Sequence, residues 1–154
     1  MSIFSPSDLG KWEQEYHILL DGERHSLTPH GTWLLGDKPG LVAVYDTDEV
    51  VYIGAARALG KTLQSFHKEG AVNEFRTFVA VFECGLSPKN AERRYKDGRS
   101  AKRVDAAVAR MSFSVAPAPT QHLDLLAQAF TAVADPRFNG PTALSNLAID
   151  ALPQ

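Results

Sequence analysis

Seven of the sixteen lysines and arginines fall within a single stretch: Lys89, Arg93, Arg94, Lys96, Arg99, Lys102 and Arg103. Only Glu92 and Asp97 oppose them there. That stretch carries +5 and the rest of the chain −7, so the overall charge of −2 hides a cationic segment. Guanidinium and ammonium groups gathered this way suit phosphate oxygens, which they meet through charge-assisted hydrogen bonds. The competing role for such a run is a solvated face that keeps the protein soluble. His17, His25 and His30 have no recognised metal-ligand spacing.

Composition limits what these groups can serve. With 154 residues, 44% hydrophobic and 22% charged, the chain reads as one globular domain with an ordinary core. Cys84 is the only cysteine, which excludes an intrachain disulfide and a cysteine-built zinc site. No apolar run approaches a membrane span, and the opening Met1-Ser2-Ile3-Phe4 does not read as a secretory leader. The expected location is the cytoplasm.

The positioning elements follow from pattern. Leu41 to Tyr45 and Val50 to Ile53 are β-branched, apolar runs around Asp46-Thr47-Asp48-Glu49, which predicts an antiparallel hairpin. Leu59, Leu63 and Phe66 have helical spacing and predict a helix over 57–68, carrying Lys61 and His67. The uniformly apolar Phe78 to Phe82 predicts a buried strand over 75–84, and residues 88–110 read as helical with a break near Gly98. Met111 to Val115 predicts a short strand ended by Pro117 and Pro119. An amphipathic helix is expected over 122–134, stopped before Pro136. Upstream, Ser5 to Asp8 opens a short helix, and Tyr16 to Leu27 reads as a hairpin turning at Asp21-Gly22. In the tail, Leu144, Leu147, Ala148, Ala151 and Leu152 recur at helical spacing, for packing on the domain or against a partner.

The spacing of Gly40-Leu41-Val42 and Tyr52-Ile53-Gly54, with Asp135-Pro136-Arg137-Phe138-Asn139 far downstream, resembles the GIY-YIG nuclease domains. Gly40 stands twelve residues before Tyr52, as in that family. The likeness covers residues 39–139. The motif remnants are Gly40, Tyr52, Ile53, Gly54 and Asn139. The resemblance implies an α+β fold, a small three- to four-stranded mixed sheet flanked by helices. Residues 1–39 are then an N-terminal extension docked on a core of 40–140, with 141–154 as the tail.

The family cleaves a phosphodiester with a divalent ion, a glutamate ligand, an arginine and tyrosines near the attacking water. Here the first tyrosine position holds Val42, the arginine position Thr62 and the glutamate position Ala127. Losing one electrostatic stabiliser costs on the order of a hundred- to a thousand-fold in rate, and the loss here is multiple. The resemblance therefore implies a domain that does not cut and needs no cofactor. It would bind nucleic acid, or a nucleic-acid-handling protein, through the cationic segment. The alternatives are a protein-binding scaffold or inhibitor on the same fold, or a magnesium- or manganese-dependent endonuclease with relocated groups. In that last case Tyr52, Arg57, Lys61 and His67 would act, with a carboxylate from Glu83 or Glu92. Oligomeric state has no signature in the sequence.

Overall fold

The computed structural model describes residues 3–33, 35–87, 91, 98–139 and 143–153, with side chains in 143–146 set aside. Its centre is a hairpin of β2 (Gly40–Asp46) and β3 (Glu49–Ala56), preceded in the chain by the two-residue β1 (His25–Ser26). With β4 (Ser112–Pro117) these form a sheet in the order β1-β4-β2-β3. All three pairings are antiparallel, so the sheet is not mixed. Antiparallel pairing follows from the short turn between β2 and β3 and from β4 re-entering beside β2. The fold is α+β, with four strands among the described residues.

Helices cover both faces, because alternate residues of β2 point opposite ways. Val42 and Val44 join Leu63 and Phe66 of α3 (Leu59–His67), Phe75 and Val79 of α4 (Glu74–Phe82), and Val104 and Val108 of α5 (Gly98–Ala109). Leu41, Ala43 and Tyr45 join Tyr16 and Leu19 of α1 (Glu13–Leu20), and Leu126 and Phe130 of α6 (Leu123–Ala134). Ala148 and Ile149 of α7 (Ala143–Ala151) complete that second core. Between Val44 and Tyr45 the register slips by one, leaving Val51 as a bulge. Val51 therefore faces the first core and Val50 the second.

Two segments differ from the sequence reading. Residues 75–84 are not a strand: α4 occupies Glu74–Phe82, with the Asn73 side chain capping it by accepting from the Arg76 N–H at 2.9 Å. A run of apolar residues fits a buried strand or a helix equally, and the cap decides. Nor is Tyr16 to Leu27 a hairpin. Tyr16 to Leu20 belongs to α1, because Trp12, Tyr16, Leu19 and Leu20 lie at helical spacing against the second core. Only His25 and Ser26 pair, against Phe113 and Ser112.

The N-terminal segment is tied to the sheet from within. At the end of α1, the Leu19 carbonyl accepts from Ser114 Oγ at 2.6 Å and the Leu20 carbonyl from Tyr45 Oη at 3.2 Å. Those carbonyls lack helical partners, so two sheet hydroxyls complete the helix. Trp12 Nε1 donates to the Pro153 carbonyl at 2.7 Å, which joins the N-terminal segment to the tail. A short helical turn, α2 (Pro29–Thr32), starts at Thr28, whose side chain caps it.

Candidate functional site

Tyr52 points from β3 into the first core, edge-on to Phe66 and Phe75 with ring centroids 5.8 and 5.2 Å away. Burial, and then the Glu74 carboxylate, push its phenol up to about 12, so it stays protonated at neutral pH. Its ring leaves no room beside it. A Cβ at Gly54 would lie 2.6 Å from Tyr52 Oη, which explains glycine there. Gly40 is constrained in another way, because a Cβ would fall 2.6 Å from the Ala116 carbonyl across the sheet.

Beside Tyr52 opens a cleft of about 440 Å³. One wall is Ile53, Gly54 and Ala55 of the edge strand β3. The other comes from α6, through Asp124, Ala127, Gln128 and Thr131, with Glu74 at the start of α4. Asn139 closes one end, and its role is backbone pairing. Its Nδ2 donates to the Ile53 carbonyl at 2.7 Å, while Oδ1 accepts from the Ile53 N–H at 3.4 Å. The adjacent Phe138 N–H donates to the Val51 carbonyl at 2.8 Å. Residues 138 and 139 thus stand in for a fifth strand along part of the sheet edge. The chain reaches that edge because Asp135, in a left-handed conformation (φ 51°), ends α6 before Pro136.

The cleft has two carboxylates, Glu74 and Asp124, and no cation among its lining residues. Neither acid was anticipated from the sequence. Asp124 stands three residues before Ala127 on the same helix face, which was a usable signal. Glu74 was concealed by reading its segment as a strand. At the position where the resemblance expects a glutamate, Ala127 presents a methyl group, and among the described residues no three His, Cys, Asp or Glu side chains converge.

The other residues singled out in the sequence lie elsewhere. Arg57 is exposed between β3 and α3 rather than in the first turn of α3. Lys61 is exposed, with its backbone N–H on Asp37 Oδ1 at 3.1 Å, and Thr62 is half-buried; none of the three lines the cleft. His67 Nε2 lies 2.8 Å from Thr32 Oγ1, in a different hollow bordered by Trp33. Burial, with a smaller contribution from Arg76, lowers its pKa below the usual 6.5. Glu83 is held by Arg137, which also bonds Glu49 at 3.0 Å and approaches Asp46 at 3.5 Å.

Of the cationic segment, Lys89, Arg93, Arg94 and Lys96, along with Glu92, lie outside the described residues. Arg99, Lys102 and Arg103 are exposed on α5, opposite its buried Ser100, Val104, Ala107 and Val108. At 100° per residue these three span an arc of about 100°. Arg110, also exposed, follows Arg103 about two turns on. The Arg103 guanidinium is steadied by the Cys84 carbonyl, 2.8 Å from Nη2.

Comparison with family models, with curated proteins and with solved structures gives no match. Function has to be argued from the two surfaces themselves. Their placement depends on a residue that the sequence reading passed over. Arg76 is fully buried. It donates from Nε to the Ala71 carbonyl at 2.7 Å, from Nη1 to the Phe66 carbonyl at 3.0 Å, and from Nη2 to Asp105 of α5. It fastens α5 to α4 and to the end of α3.

Proposed function

We propose that this chain is a GIY-YIG-like domain that holds a nucleic-acid backbone on the outward face of α5 and does not cut it. The observation that carries this reading is the alignment of Arg99, Lys102, Arg103 and Arg110 on one exposed side, with Asp105 turned inward to Arg76. Cations in a row meet successive phosphates, and their affinity comes from released counterions rather than from base identity. The remnant cleft supports the non-cutting half. Its glutamate position is Ala127, and the cations Arg57 and Lys61 lie outside it.

The test is fluorescence anisotropy with labelled DNA and RNA duplexes over a salt series, with magnesium or manganese and a cleavage readout. Contact with three or four phosphates gives a log–log salt slope of about −3 on duplex DNA. The double variant Arg99→Glu, Lys102→Glu should lose retention by about tenfold or more and flatten the slope. Unchanged affinity in that variant would overturn the reading. Metal-dependent cutting abolished by Tyr52→Phe would replace it with an active nuclease.

A further inference from the structure

Trp33 is held out into solvent by a turn that is itself firmly tied. It is 77% exposed, whereas Thr32 beside it is buried. Thr32 Oγ1 donates to the Thr28 carbonyl at 3.2 Å and meets His67 Nε2 at 2.8 Å, and the Leu35 N–H donates to the Thr32 carbonyl at 3.1 Å. At Gly31 a Cβ would fall 1.8 Å from the Ser26 carbonyl, so the turn packs directly on β1. Scattered exposed apolar side chains are ordinary, but a large aromatic fixed beside hollows is a platform. Trp33 borders two of them, of about 360 and 650 Å³. Both volumes fall in the range of small-ligand sites, on the order of 300–1,000 Å³. Gln64, Lys68 and Glu69 line the larger hollow, and all three are exposed. Two residues past Lys68, the Gly70 N–H donates to Asp105 Oδ1 of α5 at 3.4 Å. The exposed Lys102 precedes Asp105 by about one turn. One short loop therefore joins the larger hollow to the cationic face.

We infer that Trp33 stacks an unpaired base of a single-stranded nucleic acid, whose backbone leaves the larger hollow past Lys68 and continues onto α5 at Lys102. Every base has a π face, so an aromatic platform takes it with little regard to sequence. Gln64 and Glu69 supply bonding groups for the base edge, Glu69 accepting from an amino group such as that of cytosine. Lys68 meets the adjoining phosphate. A base inside a duplex is already stacked on its neighbours, so this site favours the single strand where α5 alone does not. A proline-rich peptide also suits a tryptophan, but it brings no negative charge to Lys68 and Lys102. The path of the backbone rests on the nucleic-acid reading of α5; the stacking at Trp33 does not.

The experiment uses the full chain, a single strand of about ten deoxycytidines and an abasic strand of the same length and charge, read by anisotropy and by tryptophan emission. Of the two tryptophans, Trp12 is partly buried on the Pro153 carbonyl, so quenching by a base reports on Trp33. The expected result is saturable quenching by the deoxycytidine strand, and binding about tenfold tighter than that of the abasic strand. Trp33→Ala should bind both strands alike with its salt slope unchanged, and Trp33→Phe should recover part of the preference. Both variants are at an exposed position, and unchanged melting will show that they are folded. Equal affinity of the parent chain for the two strands, or an undiminished preference in Trp33→Ala, overturns the inference. If the salt slope persists in that case, the reading of α5 stands alone. If instead the base preference persists while Arg99→Glu, Lys102→Glu costs nothing, the reading of α5 falls and the base site remains. Quenching by a proline-rich peptide but not by the deoxycytidine strand at millimolar concentration assigns Trp33 to a protein partner and also overturns the inference.

Discussion

The cleft beside Tyr52 and the outward face of α5 contrast in sign and in construction. The cleft is acidic and set between a sheet edge and two helices, with Tyr52 packed into the aromatic core behind it. The face of α5 is basic, open, and located by side chains that only the other surface of the helix provides. Among the described residues no cation lines the Tyr52 cleft, and no acid stands among Arg99, Lys102 and Arg103 on the outward side of α5. The difference teaches that the acidic hollow and the basic face are built from separate side chains, and each can be altered alone.

The sharpest way to break the comparison is at Arg76, on which the position of α5 depends. Arg76→Met leaves Asp105 without its guanidinium and strands the Phe66 and Ala71 carbonyls. Breaking a buried pair in this manner costs about 3–5 kcal/mol, with the lower end expected because Asp105 is partly exposed. Chemical denaturation should show that loss, together with weakened nucleic-acid retention. A change under about 1 kcal/mol would mean that α5 is positioned by its apolar face alone.

Tyr52 sharpens the other half. Tyr52→Ala should cost about 3 kcal/mol by opening the cluster of Phe66 and Phe75. Tyr52→Phe should stay within about 0.5 kcal/mol, because its hydroxyl faces the cleft without a hydrogen-bond partner among the described residues. The pair of melting curves separates a packing residue from one retained for its phenol. Next in size is Asn139→Ala, which uncovers both backbone groups of Ile53. A loss of about 1–2 kcal/mol is expected, with faster amide exchange at Ile53 and no change at α5. Unchanged exchange at Ile53 would show that the edge is covered by Phe138 without the amide.

How much of this was legible depends on whether one element or several decide a position. The β2–β3 hairpin, α3, β4 and α6 could be read because their apolar spacing, turns and prolines are local. Residues 74–82 were misread because their hydrophobic residues fit two periods. The informative signal was Asn73-Glu74, an N-cap followed by an acid in the first turn. Tyr16 to Leu20 was misread for a related reason: Asp21-Gly22 was weighted as a hairpin turn, although it equally follows a helix end. At the site, Tyr52, Ile53, Gly54 and Asn139 do border one cleft. Glu74 could not be placed there without α4, and burial of Arg76 depends on Phe66, Ala71 and Asp105 together. No local pattern marks a residue whose partners come from three segments.

His67 offers the smallest effect and belongs to neither surface. Its folded pKa is below 6.5, first because burial disfavours the charged ring and then because Arg76 repels it. The unfolded chain therefore binds a proton more readily on acidification. The stabilising contribution of a neutral His67 is complete above pH 6.5 and is lost as pH falls through the folded value. His67→Gln removes that titration, so its melting temperature should fall less than that of the parent over the same acidic interval. Parallel curves would show that the ring titrates alike in both states. The variant should also leave the proposed salt-dependent binding at α5 unchanged, since the His67–Thr32 contact is not part of that face. A shift would mean that the end of α3 acts on α5 through Arg76, which bonds the Phe66 carbonyl beside His67.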